Sequence, residues 1–198
     1  MPQAEITIEI DQRIDAFKAS LQQGADIALT QHVLRHECSI VGADIENAVR
    51  ACVATEFGTT ADHVWIVGSA KLGFSPKPGQ YFKHFSDHSD IDVALVSPRL
   101  YEEVWREVFQ MDRAGEYFDK EKFSHYHLRG WIRPDALPPS AEYNRCRSWW
   151  KFFKDLSSKE DFMRMKIRGG LYFDSFFLRQ YQLGGLTVMR EHLIGGMA

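Results

Sequence analysis

Two short groups of residues in this chain have the types and spacing for chemistry. Asp90 and Asp92 form an Asp-x-Asp at the start of the apolar run Ile91 to Val96, with Ser89 in front. Successive strand residues point to opposite faces, so the two carboxylates share one face, about 6–7 Å apart at Cα. Two unpaired carboxylates at that spacing repel each other, and a divalent cation relieves the repulsion. Mg²⁺ is commonly held by one or two carboxylates and completed by substrate phosphates, which suits a bare pair of acids. The second group is Gly68-Ser69, at the end of the apolar run Val64-Trp65-Ile66-Val67. Glycine lets a backbone turn tightly and approach a phosphate closely, and a serine offers a backbone N–H and a hydroxyl to phosphate oxygens. Taken alone, each group also reads as an ordinary solvated turn; together and in this order they point to nucleotide chemistry.

The two groups lie in one stretch of 35 residues, His63 to Ser97. A Gly-Ser turn after one strand and Asp-x-Asp on the next resembles the nucleotidyltransferase superfamily that includes DNA polymerase β and the kanamycin-type enzymes. The resemblance implies an α+β fold, a small mixed β-sheet core with helices packed before and after it. It implies Mg²⁺ or Mn²⁺ as cofactor and an NTP as substrate, with a nucleoside monophosphate moved to an acceptor. Asp90 and Asp92 would be the catalytic metal ligands, and Gly68 and Ser69 the nucleotide-binding turn. The acceptor stays open among a small molecule, a protein and RNA. A third carboxylate on a later strand is usual in the superfamily; Asp135 and Asp174 are the candidates, and Asp174 also reads as the N-cap of a helix.

The spacer departs from the family pattern. Twenty residues separate Ser69 from Asp90, where a shorter, largely helical spacer is usual. Gly73, Pro76, Pro78 and Gly79 oppose a continuous helix, so an ordered loop at the mouth of the site is expected over Ser75 to His88. Lys71, Lys77 and Lys83 are its candidate triphosphate contacts, against the plainer reading of solvated lysines. His84, Asp87 and His88 fall short of the four convergent ligands of a zinc site. The resemblance also permits a non-catalytic alternative, which the unusual spacer and the unplaced third acid support: an antitoxin-like protein partner, or a nucleotide sensor, in a bacterial defence or toxin–antitoxin system.

The elements that must position these residues follow from the rest of the chain. Its 198 residues, 44% hydrophobic and 26% charged, suit one domain with a sizeable core. Approximate sub-regions are N-terminal helices over 1–58, a catalytic core over 59–133 and a C-terminal helical region over 134–198. The net charge of -3 advertises neither nucleic acid nor membrane. Three scattered cysteines and the absence of a signal-like N-terminus or a long apolar run fit a cytoplasmic chain without a membrane partner. Residues 2–9 alternate weakly, as an edge strand or arm. Helical spacing begins at Asp11, with Gly24 as an interruption, and a second helix is expected over Ile40 to Phe57 with Gly58 as its cap. Ser97-Pro98 opens a helix to about Gln110. Lys122 to Arg133 is ambiguous between helix and strand, and Pro134, Pro138 and Pro139 then break the chain. From Glu142 to Arg168, cations alternate with Trp149, Trp150, Phe152 and Phe153. Such rings and cations could bind single-stranded nucleic acid, but their helical spacing favours an amphipathic helix with buried aromatics. Met165 to Phe173 is a strand candidate, and Asp174 to Leu193 a last helix.

Overall fold

The computed structural model describes residues 3–36, 39–137, 142–162 and 165–195. It is an α+β fold built on a four-stranded mixed sheet. The strands are β1 (Val64–Val67), β2 (Ile91–Val96), β3 (Trp131–Ile132) and β4 (Ile167–Tyr172), in the order β1-β2-β4-β3. β2 runs antiparallel to β1 and parallel to β4, and β3 returns antiparallel to the end of β4. The strand beside the Asp-bearing β2 is therefore supplied by the C-terminal third of the chain.

Alternation along the strands sorts their side chains onto two faces. Val64, Ile66, Ile91, Val93, Leu95, Ile167 and Leu171 point to one face and form the main core. Three helices cover it: α3 (Ala43–Phe57), α5 (Pro98–Arg113) and α7 (Asn144–Ser157). Each carries the matching apolar stripe, Val49/Val53/Phe57, Leu100/Val104/Val108 and Trp149/Phe153/Leu156. The opposite face carries Val67, Ala94, Val96 and Tyr172, covered in part by Leu178 of α8 (Ser175–Gly195). Asp92 points to this second face.

Local signals set the helix ends. Ser97 caps α5, its Oγ accepting from Leu100 N at 3.3 Å, with Pro98 at the first helical position. Gly58 ends α3 in the left-handed conformation, with φ 64°. The N-terminal residues differ from the weak alternation expected of them. α1 runs Gln3–Gln23, because Ile10, Ile14, Phe17 and Leu21 share one buried stripe while Ile8 is 58% exposed. The helical period wins because that stripe packs with Leu29, Phe74, Leu186 and Met189 in a second core cluster. Gly24 does interrupt the helix; α2 (Ala25–Ala28) and a π-helical turn, Leu29–Val33, follow.

Lys122 to Arg133 contains both of its readings: α6 (Lys120–His127), then β3. Pro134 opens a 3-10 turn to Ala136, while Pro138 and Pro139 lie outside the described residues. The cap of α7 comes from a distant element. Glu107 of α5 accepts from Arg145 N at 2.8 Å and from Cys146 N at 3.1 Å, so this acid ties two helices together. Among the described residues, no helix is long and apolar enough to cross a membrane.

Gly169 and Gly170 make β4 thin where it must be. A Cβ on Gly169 would overlap Phe153 Cζ and Trp149 Cζ2 on the core face. A Cβ on Gly170 would stand 2.7 Å from Trp131 Nε1 on the other. Gly169→Ala is therefore expected to destabilise the fold by roughly 1–3 kcal/mol through overpacking. Denaturant unfolding checks it: the midpoint should fall with the slope unchanged, and an unchanged midpoint would mean the rings move aside freely.

Candidate functional site

β2 delivers both acids to one place. Asp90 precedes its first residue, and Asp92 is its second, paired in register with Val67 on one side and Arg168 on the other. Val67 ends β1, so Gly68 lies directly beside Asp92. Gly68 takes φ 68° and ψ -146°, a conformation open to glycine and costly for other residues. A Cβ there would stand 3.0 Å from Asp92 Oδ2. The backbone conformation thus calls for glycine at this turn, and a side chain there would also crowd the Asp92 carboxylate.

A cleft of ≈ 490 Å³ opens at this point, within the range of ligand pockets. Gly68, Asp90 and Asp92 line it, with Lys77, Arg133 and Arg168 as its cations. Tyr126, Trp131, Tyr172 and Tyr181 form an aromatic wall, with ring centroids 4.5 Å apart for Tyr126–Trp131 and 4.6 Å for Trp131–Tyr181. α8 closes the far side with Gln182, Gly185 and Leu186. A Cβ on Gly185 would meet nothing within 4 Å, so this glycine leaves open space.

Ser69 does not line the cleft. It is half-buried, one residue behind Gly68, at the start of α4 (Ser69–Leu72). Lys71 departs from the expected triphosphate contact. Its side chain is 1% exposed and its Nζ is 3.3 Å from Glu46 Oε1 of α3, whose other oxygen accepts from Ser39 N. The third residue of α4 turns inward, and breaking such a buried pair costs about 3–5 kcal/mol. Lys71 therefore fastens α4 to α3 behind the glycine turn.

The spacer is ordered by its own backbone. Phe74 bridges to His84, Ser75 N donates to Lys83 O at 2.8 Å, and Phe82 N donates to Ser75 O at 3.0 Å. Tyr81 and Phe82 pack on the α1 cluster and Phe85 on the main core. This docking holds Pro76, Lys77 and Pro78 at the rim of the cleft. Lys83 is exposed and does not line it. His84 Nε2 lies 3.1 Å from Asp11 Oδ1, while Asp87 and His88 are exposed.

Asp174 serves as a helix cap: Phe177 N donates to its Oδ1 at 3.1 Å. The side chain of Asp135 lies outside the described residues. On β4, the position facing Asp92 carries a cation: Arg168, whose Nε sits 2.9 Å from Asp90 Oδ2 as an ion-pair contact. Among the described residues no group of three or more His, Cys, Asp or Glu could hold a metal by itself. Arg168 and the aromatic wall escaped sequence reasoning, because only the β2–β4 register and the return of α8 bring them to the acids.

Burial holds the Asp92 carboxyl above the ordinary carboxylate range; Lys77 pulls it down, Asp90 pushes it up, and Arg168 and Arg133 pull it down. A desolvated carboxylate beside a second acid is a site that gains from a cation. Compared with protein-family models, with curated proteins and with solved structures, the chain matches none.

A stability prediction follows from Asp92. The folded chain holds its proton more tightly than the unfolded chain does. Its contribution to stability is therefore full below the unfolded carboxylate pKa of about 4 and is lost as pH rises through the raised folded value. Asp92→Asn removes that loss. Its melting temperature at neutral pH should equal or exceed that of the unmodified chain, with the gap closing towards acid pH. A neutral-pH melting temperature well below the unmodified value would mean that ionised Asp92 holds the fold together.

Proposed function

We propose that this protein is a nucleotidyltransferase that uses Mg²⁺ or Mn²⁺ to move a nucleoside monophosphate from an NTP to an acceptor. The observation that carries the proposal is the meeting of Gly68, Asp90 and Asp92 in one cleft with Lys77, Arg133 and Arg168. The donor set fits a hard divalent cation: two carboxylate oxygens from the chain, too few for a closed cage, with phosphate oxygens to complete the shell. Asp90 and Asp92 would hold the ion, which when bound neutralises charge on the reacting phosphoryl group.

The chain's own residues account for the rest. Gly68 lets the triphosphate approach the backbone beside Asp92. Lys77 and Arg133 offset the charge of the departing pyrophosphate, and the aromatic wall offers a surface for the base. Attack by an acceptor oxygen forms the bond to the α-phosphorus and breaks the bond to pyrophosphate, which leaves with its electron pair. The acceptor's proton goes to solvent or to a carboxylate of the cleft.

A second reading is favoured by one contact. Arg168 already engages Asp90, and an acid held by arginine suits a nucleotide sensor or antitoxin-like protein that binds without turnover. Incubation with each α-labelled NTP and Mg²⁺, with a cell extract supplying acceptors, separates the two. Pyrophosphate release and a labelled acceptor, both reduced to background in Asp90→Asn and Asp92→Asn, are the expected result. Binding without pyrophosphate release would favour the sensor, and no binding of any NTP would remove both.

A further inference from the structure

The aromatic and basic segment of α7 is only partly absorbed by the core. Trp149 and Phe153 are buried, yet together with Trp150 they line a groove of ≈ 480 Å³ between α7 and the start of β4. Its charged residues are Lys154, Lys166 and Arg168, and among the described residues no acid lines it. This concentration of positive charge stands on a chain whose net charge is -3.

Three features distinguish the groove from ordinary surface. Trp150 is 40% exposed, but its ring is fixed, because Nε1 donates to Leu137 O at 2.9 Å. Trp149 is 1% exposed, and its buried Nε1 has no hydrogen-bond partner. The six-membered ring edge next to that nitrogen faces Gly169, in the groove wall. Third, the groove adjoins the nucleotide cleft. β3 pairs only with Leu171 and Tyr172, so among the described strands residues Arg168 to Gly170 have β2 on one side and an open edge on the other. Arg168 and Gly169 line both the groove and the cleft.

We infer that this groove binds the acceptor, and that the acceptor is the end of a single-stranded nucleic acid. Its bases stack on Trp150 and its phosphates meet Lys154, Lys166 and Arg168. The role of acceptor rests on the nucleotidyltransferase reading; the binding itself does not. Rings with a fixed orientation beside cations are the chemistry that holds single strands with little sequence preference. A strand end passing Arg168 reaches Asp90, whose carboxylate is 2.9 Å from the guanidinium. A terminal hydroxyl is thereby brought to the acids that the NTP uses.

Fluorescence anisotropy with labelled single strands of about 12 nucleotides, one of RNA and one of DNA, tests this without any NTP. At least one strand should bind, with affinity falling roughly ten- to twentyfold between about 50 and 200 mM salt if three phosphates are neutralised. Trp150→Ala should weaken binding about tenfold through lost stacking. Because that change also removes the bond to Leu137, the paired change Lys154→Glu and Lys166→Glu provides an independent arm. It should weaken binding further and flatten the salt dependence. Mg²⁺–NTP affinity, measured separately, should be unchanged in both variants. Failure of both strands to bind, or binding that neither variant weakens, would overturn the inference. Retained strand binding with no NTP binding would leave the groove as a nucleic-acid site and remove the nucleotidyltransferase reading instead.

Discussion

A desolvated carboxylate beside a glycine that cannot be replaced is the constraint on which the site depends. Asp92 stands on the second strand of the sheet, and its Oδ2 is 3.0 Å from where a Cβ on Gly68 would stand, at a turn whose φ of 68° already favours glycine. The β1–β2 register sets that contact, and the β2–β4 register places Arg168 on the other side. Two registers thus determine which backbone and which cation face the acid. Because a one-residue slip in a strand turns every side chain to the other face, the core fixes both registers. Ile91, Val93 and Leu95 must meet Ile167 and Leu171 beneath α3, α5 and α7.

The glycine turn needs anchoring from behind as well. Glu46 and Lys71 supply it through a buried ion pair between α3 and α4. A buried pair is weak as a source of net stability but strict about position, since either partner alone leaves a costly charge. The spacer after α4 is tied down by aromatics on two clusters, which leaves Lys77 at the cleft rim. Rigid support behind and a cationic rim in front suit a site that binds a polyanion against two acids.

What was legible in the sequence was local. Gly68, Asp90 and Asp92 were readable because strand periodicity and turn chemistry act within a few residues. The cap at Ser97 and the stop at Gly58 were readable for the same reason. The α1 stripe was misread at its start because Ile6, Ile8 and Ile10 also fit a strand, and only packing against α8 settles the period. Lys71 looked like a phosphate ligand because nothing nearby in sequence announces Glu46, 25 positions earlier. Arg168 looked like one of many cations in a basic segment. Its place opposite Asp92 depends on pairing between strands 76 positions apart in the Asp92–Arg168 register. Gly169 and Gly170 allow rings to press on both sides of their strand, a role that only the packing reveals.

The central claim is that Asp90 and Asp92 hold a divalent ion whose shell an NTP completes. Electron paramagnetic resonance of Mn²⁺, titrated into the protein with and without a non-hydrolysable NTP, tests it most directly. The account predicts weak Mn²⁺ binding to the protein alone and a protein-bound Mn²⁺–nucleotide signal when both are present. That signal should disappear in Asp92→Asn even though the variant remains folded. A spectrum of the Mn²⁺–NTP complex that the protein leaves unchanged, or a bound signal that survives Asp92→Asn, would contradict it.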